Sequence, residues 1–228
     1  MDELTDRDLL VLSRDGHPEA FGVLFERYAR AVYNFCFRAT ADWATAEDLT
    51  SVVFLEAWRR RDTEIEGERA LPWLLGVSTN VVRNHRRALR RYRAALRRIP
   101  PPDAAPDPAE DLAPRLDDQR RMRAVLDALA GLSPPDRDVL SLVVWSGLSY
   151  EEAAAALGVA VGTVRSRLAR ARARLRELTR AGGHPSGEVL TMATRERTGK
   201  ENGGARTSSF RRSDPFLPVA SLSEGSTW

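Results

Sequence analysis

Residues 147–175 read GLSYEEAAAALGVAVGTVRSRLARARARL, and the order of capped, glycine-broken and cationic pieces in this stretch decides the fold. Ser149-Tyr150-Glu151-Glu152 is a capping box: the serine oxygen can accept from a free N–H in the first helical turn while Glu152 reaches back to the cap. The short helix so started runs through Ala153 to Leu157 and stops at Gly158. A second helix is expected from about Val161 to Arg180, with Val164, Leu168, Ala171, Leu175 and Leu178 stepping by four, three, four and three into a buried stripe. A capped short helix, a glycine turn and a long arginine-bearing helix make the layout of a helix-turn-helix, whose second helix enters the DNA major groove by its N-terminal half. Thr163, Arg165, Ser166 and Arg167 occupy the first turns, where side chains meet base edges and arginine can donate two hydrogen bonds to guanine. Arg170, Arg172, Arg174 and Arg176 follow and suit phosphates, which fix register without reading sequence. A solvated cationic helix on an ordinary bundle would need neither the cap nor the glycine.

Upstream, Met122, Val125, Leu126 and Leu129 repeat the helical period, Gly131 and Pro134-Pro135 break it, and a helix is expected again from Asp136 to Trp145. Before that, Ile99 to Asp118 carries six prolines, which favour an extended, solvated chain. Residues 4–98 are helical in pattern, with Leu9, Leu10, Leu12, Ala20, Phe21, Leu24, Phe25, Tyr28, Val32 and Phe35 recurring at three- and four-residue steps and no strand alternation. A third helix is expected from about Thr45 to Arg60. A fourth, from about Arg69 to Arg98, sets Leu74, Val77, Val81 and Ala88 on one stripe and Asn80, Arg83, Asn84, Arg87 and Arg90 around the other side. The chain is therefore expected to be all-α: two small helical domains, 1–98 and 119–180, joined by a flexible proline-rich linker, 99–118, and followed by a tail. In the tail, 181–228, 22 of 48 residues are Gly, Ser, Thr or Pro, a composition that predicts disorder.

Charge follows the same divisions. Residues 1–56 sum to −6, 57–98 to +8, 99–118 to −5 and 119–180 to +5, so two basic blocks are parted by an acidic spacer. Such clustering is the electrostatic footprint of a polyanion binder. Three histidines and one cysteine give no ligand cluster, and no phosphate loop, G-x-S-x-G or G-x-G-x-x-G occurs. No cofactor or metal is implied, and no residue has an evident base or nucleophile partner, so an enzyme is not expected. No stretch approaches the ~20 apolar residues of a membrane span and no basic leader precedes an apolar core, which points to the cytoplasm. Cys36, flanked by Phe35 and Phe37, is expected to be a small buried hydrophobe, and Trp58 and Trp73 core anchors rather than stacking platforms.

At 147–175 the chain resembles the fourth conserved region of bacterial sigma factors of the extracytoplasmic-function (ECF) group. AEDLTSVVFLEAW (46–58) resembles that family's core-polymerase-binding helix, and ALPWLLGVSTNVVRNHRRALRR (70–91) its −10-binding helix. The resemblance spans about residues 5–180 and implies a dissociable RNA polymerase subunit directing promoter-specific initiation. It implies that Asp48, Leu49, Phe54, Leu55 and Trp58 lie on or support a helix docking on the polymerase, with its beta-prime clamp and beta subunits as partners. Trp73, Asn80, Arg83 and Asn84, with Arg87 on the same cationic side and the loop Asp62–Glu68, would face the −10 element. Thr163, Arg165, Ser166, Arg167, Arg170 and Arg174 would face the −35 element. An anti-sigma factor is a further implied partner. Ser51-Val52 stand where the family often has Gln-Glu or Gln-Asp, and Ala160 where proline is common. An autonomous helix-turn-helix regulator would explain 119–180 but leave 46–58 without a role; a DNA-processing enzyme would lack its catalytic cluster.

Overall fold

Thr5 opens the first helix by a capping box, its hydroxyl accepting from the Asp8 N–H at 3.2 Å and its own N–H donating to the Asp8 carboxylate at 3.1 Å. The structure is a computed structural model that describes residues 4–62, 68–96 and 113–181. The first four helices are α1 (Asp6–Arg14), α2 (Pro18–Thr40), α3 (Trp43–Arg59) and α4 (Leu71–Leu96). The others are α5 (Ala113–Leu129), α6 (Pro134–Leu140), α7 (Tyr150–Leu157) and α8 (Val161–Ala181). Among the described residues there is no strand, as the sequence pattern requires.

Each start has a local cause. Pro18 sits at the first position of α2, where its missing N–H costs nothing. The Asp42 carboxylate accepts from the Thr45 N–H at 2.7 Å to cap α3, and this bonding holds its carboxyl below the usual range. Ser133 caps α6. Helix α6 then widens into a π-helical turn, Ser141–Trp145, in which the Ser146 N–H donates to the Ser141 carbonyl at 3.1 Å. The single helix expected over 136–145 therefore changes winding at its end.

Helix α5 begins at Ala113, inside the segment read from sequence as linker to residue 118. The physical reason is that Pro114, the last proline of the run, falls in the first turn, where no intrahelical donor is lost. Most of that linker, most of the loop Asp62–Glu68 and the tail from residue 182 lie outside the described residues.

Helices α1–α4 close around Leu9, Leu10, Leu24, Val32, Cys36, Val53, Leu74 and Leu75, all at most 2% exposed. Burial pushes the Cys36 thiol up to about 12, in keeping with a small buried hydrophobe. Helices α6–α8 close around Leu140, Leu142, Leu148, Val164, Leu168 and Leu175, each 0–1% exposed. The two groups belong to one compact unit and one continuous apolar core. Helix α7 lies on α4, and Arg38 of α2 donates to the Trp145 carbonyl at 2.8 Å. Of the expected α4 stripe Leu74, Val77 and Val81 are buried, whereas Ala88 is exposed, as are residues 90–96 at the end of the helix.

Candidate nucleic-acid interface and docking face

The helix-turn-helix is built as its sequence reads. Ser149 Oγ accepts from the Glu152 N–H at 3.0 Å, and the Ser149 N–H donates to Glu152 Oε2 at 2.8 Å. Gly158 ends α7 at φ 62, a left-handed conformation that costs a Cβ-bearing residue about 1–2 kcal/mol. Its N–H returns to carbonyls of the last turn, which directs the chain into α8. Val164, Leu168, Ala171 and Leu175 are buried and Leu178 is half-buried, so the predicted stripe seats α8 and fixes which face is left for solvent.

That outward face carries Arg165, Ser166 and Arg170, exposed, with Thr163 and Arg167 half-buried beside them. Arg165 lies over the Tyr150 ring, 6.0 Å from its centroid, which steadies the guanidinium at the start of the helix. Among the described residues no carboxylate pairs with Arg165 or Arg167. Arg170 pairs with Asp136 at 3.0 Å and Arg174 with Glu177 at 3.0 Å. Among the described residues, the two arginines expected from the sequence to read bases thus meet no carboxylate, whereas the two expected at phosphates each pair with one.

On α4 the sequence-predicted residues Trp73, Asn80, Arg83, Asn84 and Arg87 share one side of the helix. Asn80, Asn84 and Arg87 are exposed; Trp73 is half-buried against the core. Arg83 donates from Nε to Asp138 of α6 at 2.8 Å. The start of α4 is fixed by Asp6, 4% exposed, which accepts from Arg27, from the Tyr28 hydroxyl and, at 2.7 Å, from the Ala70 N–H. Burial, with the Asp6 hydrogen bond, pushes the Tyr28 phenol up to about 12. Asp6 ties the start of α4 to α1 and α2, and this tie is invisible in sequence because its partners lie 21 to 64 residues away.

Helix α3 separates the residues grouped for polymerase docking. Asp48 and Leu55 face outward, Leu55 at 49% exposure, whereas Leu49 and Phe54 are 7% and 5% exposed and belong to the core. Those two support the helix from beneath and do not present a surface. The cause is the register: Leu49, Val53 and Ala57 step by four toward α2 and α4, leaving Asp48, Val52, Leu55 and Arg59 on the opposite side. Val52, at one of the positions where the chain departs from the resemblance, is exposed to 42% and also faces outward. Phe25 of α2, 41% exposed, adds to the exposed apolar area and meets Phe54 edge-on at 4.7 Å between centroids. Trp58 is half-buried, packs its ring 5.3 Å from that of Phe21 and is covered by the Arg61 guanidinium at 4.4 Å, an anchor rather than a free platform.

A helix-turn-helix with an open arginine face, joined to a four-helix body bearing a second cationic helix and an exposed apolar strip, defines a DNA-binding protein that also docks on another protein. The Sigma-70 region 2 profile matches residues 24–92 and the Sigma-70, region 4 profile matches residues 122–175. RNA polymerase sigma factor CarQ of Myxococcus xanthus is 37% identical over 168 residues, 72% of this chain and 92% of CarQ. ECF RNA polymerase sigma factor SigL of Mycobacterium tuberculosis is 32% identical over 152 residues, 64% of this chain and 80% of SigL. Among solved structures, the sigma factor RpoE in complex with the anti-sigma factor NepR from Bartonella quintana is similar at a TM-score of 0.52 and 30% identity, covering 70% of this chain and 96% of that one. The chain belongs to the ECF group of sigma-70 RNA polymerase sigma factors. It is a transcription initiation subunit that directs core RNA polymerase to promoter DNA, as sigma factors do without catalysing the reaction themselves. Among the described residues no helix is long and apolar enough to cross a membrane.

Proposed function

We propose a division of labour among three faces of this sigma factor. The outward strip of α3, Asp48, Val52 and Leu55, with Phe25 of α2, docks on the core polymerase. Asn80, Arg83, Asn84 and Arg87 of α4 meet the −10 element, with Trp73 anchoring that helix, and Thr163, Arg165, Ser166 and Arg167 of α8 meet the −35 element. Residues 1–98 and 119–180 accordingly act as the polymerase-binding, −10-reading part and the −35-reading part, with 99–118 between them. The observation that carries this reading is the exposure of Val52 and Leu55, 42% and 49%, on a helix whose other large apolar residues are buried or half-buried. Exposed apolar side chains in a rigid strip mark a protein-binding surface. The chain works in the cytoplasm, performs no chemistry of its own, and is held in reserve by an anti-sigma factor, as the RpoE–NepR likeness suggests.

Leu55→Asp tests the docking face. The variant should keep its urea midpoint, because the side chain lies outside the core, and should lose co-purification with core polymerase and run-off transcription, since a central apolar anchor is worth ~2 kcal/mol or more. A folded Leu55→Asp protein that still binds core polymerase would show that this strip is not the docking face. Tight operator binding without polymerase would favour an autonomous regulator.

A further inference from the structure

Four guanidiniums, those of Arg83, Arg86, Arg90 and Arg137, collect where α2, α4 and α6 meet. Arg83, Arg86 and Arg90 step by three and four along one row of α4, and Arg137 stands on α6 next to Asp138. The Asp138 carboxylate, 6% exposed, is already bound to Arg83 Nε at 2.8 Å. Arg86 donates to the Ala39 carbonyl near the end of α2 at 2.8 Å, and Arg137 to the Leu132 carbonyl at 3.2 Å. Both are half-buried, and burial holds both below the usual arginine range. The charges of Arg137 and Arg90 press Arg86 further down, that of Arg90 does so for Arg137, and Asp138 works against each, so these groups lie within reach of one another. Positive charge there exceeds what one carboxylate can offset. Arg137 Nε, moreover, is buried with no hydrogen-bond partner among the described residues. A buried donor without an acceptor is costly, and beside clustered like charges it calls for an anion.

We propose that Arg86, Arg90 and Arg137 form a binding site for a small free oxyanion of the diphosphate class, seated at the junction of α2, α4 and α6 with Arg137 Nε as its innermost donor. Charge-assisted hydrogen bonds from guanidinium groups to phosphate oxygens are short and strong, and the planar fork of arginine matches two such oxygens at once. Three forks suit an anion with two phosphoryl groups better than one with a single group. Arg90 is exposed and gives the anion its way in. Arg86 and Arg137 are partly covered, which keeps a polymer backbone from the inner donors. The site is separate from exposed Asn84 and Arg87 and does not depend on the DNA-facing role of α4.

The test uses the full chain and inorganic pyrophosphate, titrated by isothermal calorimetry at fixed ionic strength. One saturable site is expected. Arg90→Ala should weaken it at least about tenfold, the loss of a charge-assisted bond. Arg137→Lys should weaken it to the same degree, since the amine keeps the charge but loses the fork and the Nε donor. Arg7→Ala removes an equal charge from an exposed place on α1 and should leave affinity unchanged. A urea midpoint for each variant checks folding, and Arg90→Ala, at an exposed position, decides the matter if Arg137→Lys does not fold. No saturable heat in the parent overturns the proposal. So does an equal loss in Arg7→Ala and Arg90→Ala, which would mean diffuse attraction only. A fluorescent single-stranded oligonucleotide, read by anisotropy in the same buffer, supplies the other source of phosphate, and Arg137→Lys should leave its binding unchanged. If that variant weakens the oligonucleotide as much as pyrophosphate, these arginines belong to a nucleic-acid face and the small-anion site is wrong.

Discussion

Helices α4 and α8 are both long, arginine-bearing and amphipathic, yet their polar faces meet different surroundings. On α8 the apolar stripe does the seating, and Arg165, one of the arginines proposed to read bases, is exposed with a tyrosine ring as its neighbour. On α4 the apolar residues are as deeply buried, but the polar face also touches protein: Arg83 on Asp138, Gly76 on Ala156, and the helix start on Asp6. Two helices of the same sequence character therefore differ in what meets their polar faces: a buried carboxylate of α6 holds Arg83 of α4, whereas a ring lies beside Arg165 of α8.

The contrast can be broken at its strongest point by Asp6→Ala. The Ala70 N–H would lose its acceptor in a site with no exposure and Arg27 its partner, for a loss of about 3 kcal/mol of stability read by urea unfolding. The equivalent fixture for α7, Ser149→Ala, should cost only ~1 kcal/mol in the same assay, because that cap is exposed and one cap bond is removed. Between these two in size, Arg165→Ala should weaken promoter binding by ~1–3 kcal/mol and relax preference at one base position. Arg174→Ala should instead weaken all sequences alike and lower the salt slope by about one, as competition binding at several salt concentrations would reveal. A uniform loss for both substitutions would mean that α8 grips backbone only.

The effect that vanishes at neutral pH is alkaline. The fold raises the Cys36 thiol from 9.0 to about 12 and the Tyr28 phenol from 10.0 to about 12, both by burial first. Each group keeps its proton longer in the folded state than in the unfolded one, so stability is unaffected by them below about pH 9 and falls as pH rises from 9 toward 12. Urea midpoints measured across that range should decline, and Cys36→Ala should remove the part that begins near pH 9.

How much of this could be read from the sequence depends on the distance over which each feature is determined. The capping box at Ser149, the left-handed turn at Gly158 and the Val164-to-Leu175 stripe are set within a few residues, and the structure reproduces them. The α3 assignment was legible only in part. Residues 46–58 are apolar on nearly every side, so a motif match names the helix while its register decides that Leu49 and Phe54 go inward and Val52 and Leu55 outward. Asp6, Asp138 and Gly76 gave no local signal at all. Asp6 sits in the first turn of a short helix, Asp138 in a polar stretch after two prolines, and Gly76 in a helix where glycine looks merely unfavourable; each has a partner at least 55 residues distant.

Glu152 divides its two oxygens between tasks of different kinds. Oε2 holds the Ser149 N–H within α7 itself, while Oε1 reaches across to Arg69. The start of α7 is therefore closed by its own residues, and loss of the Arg69 contact would leave that closure intact.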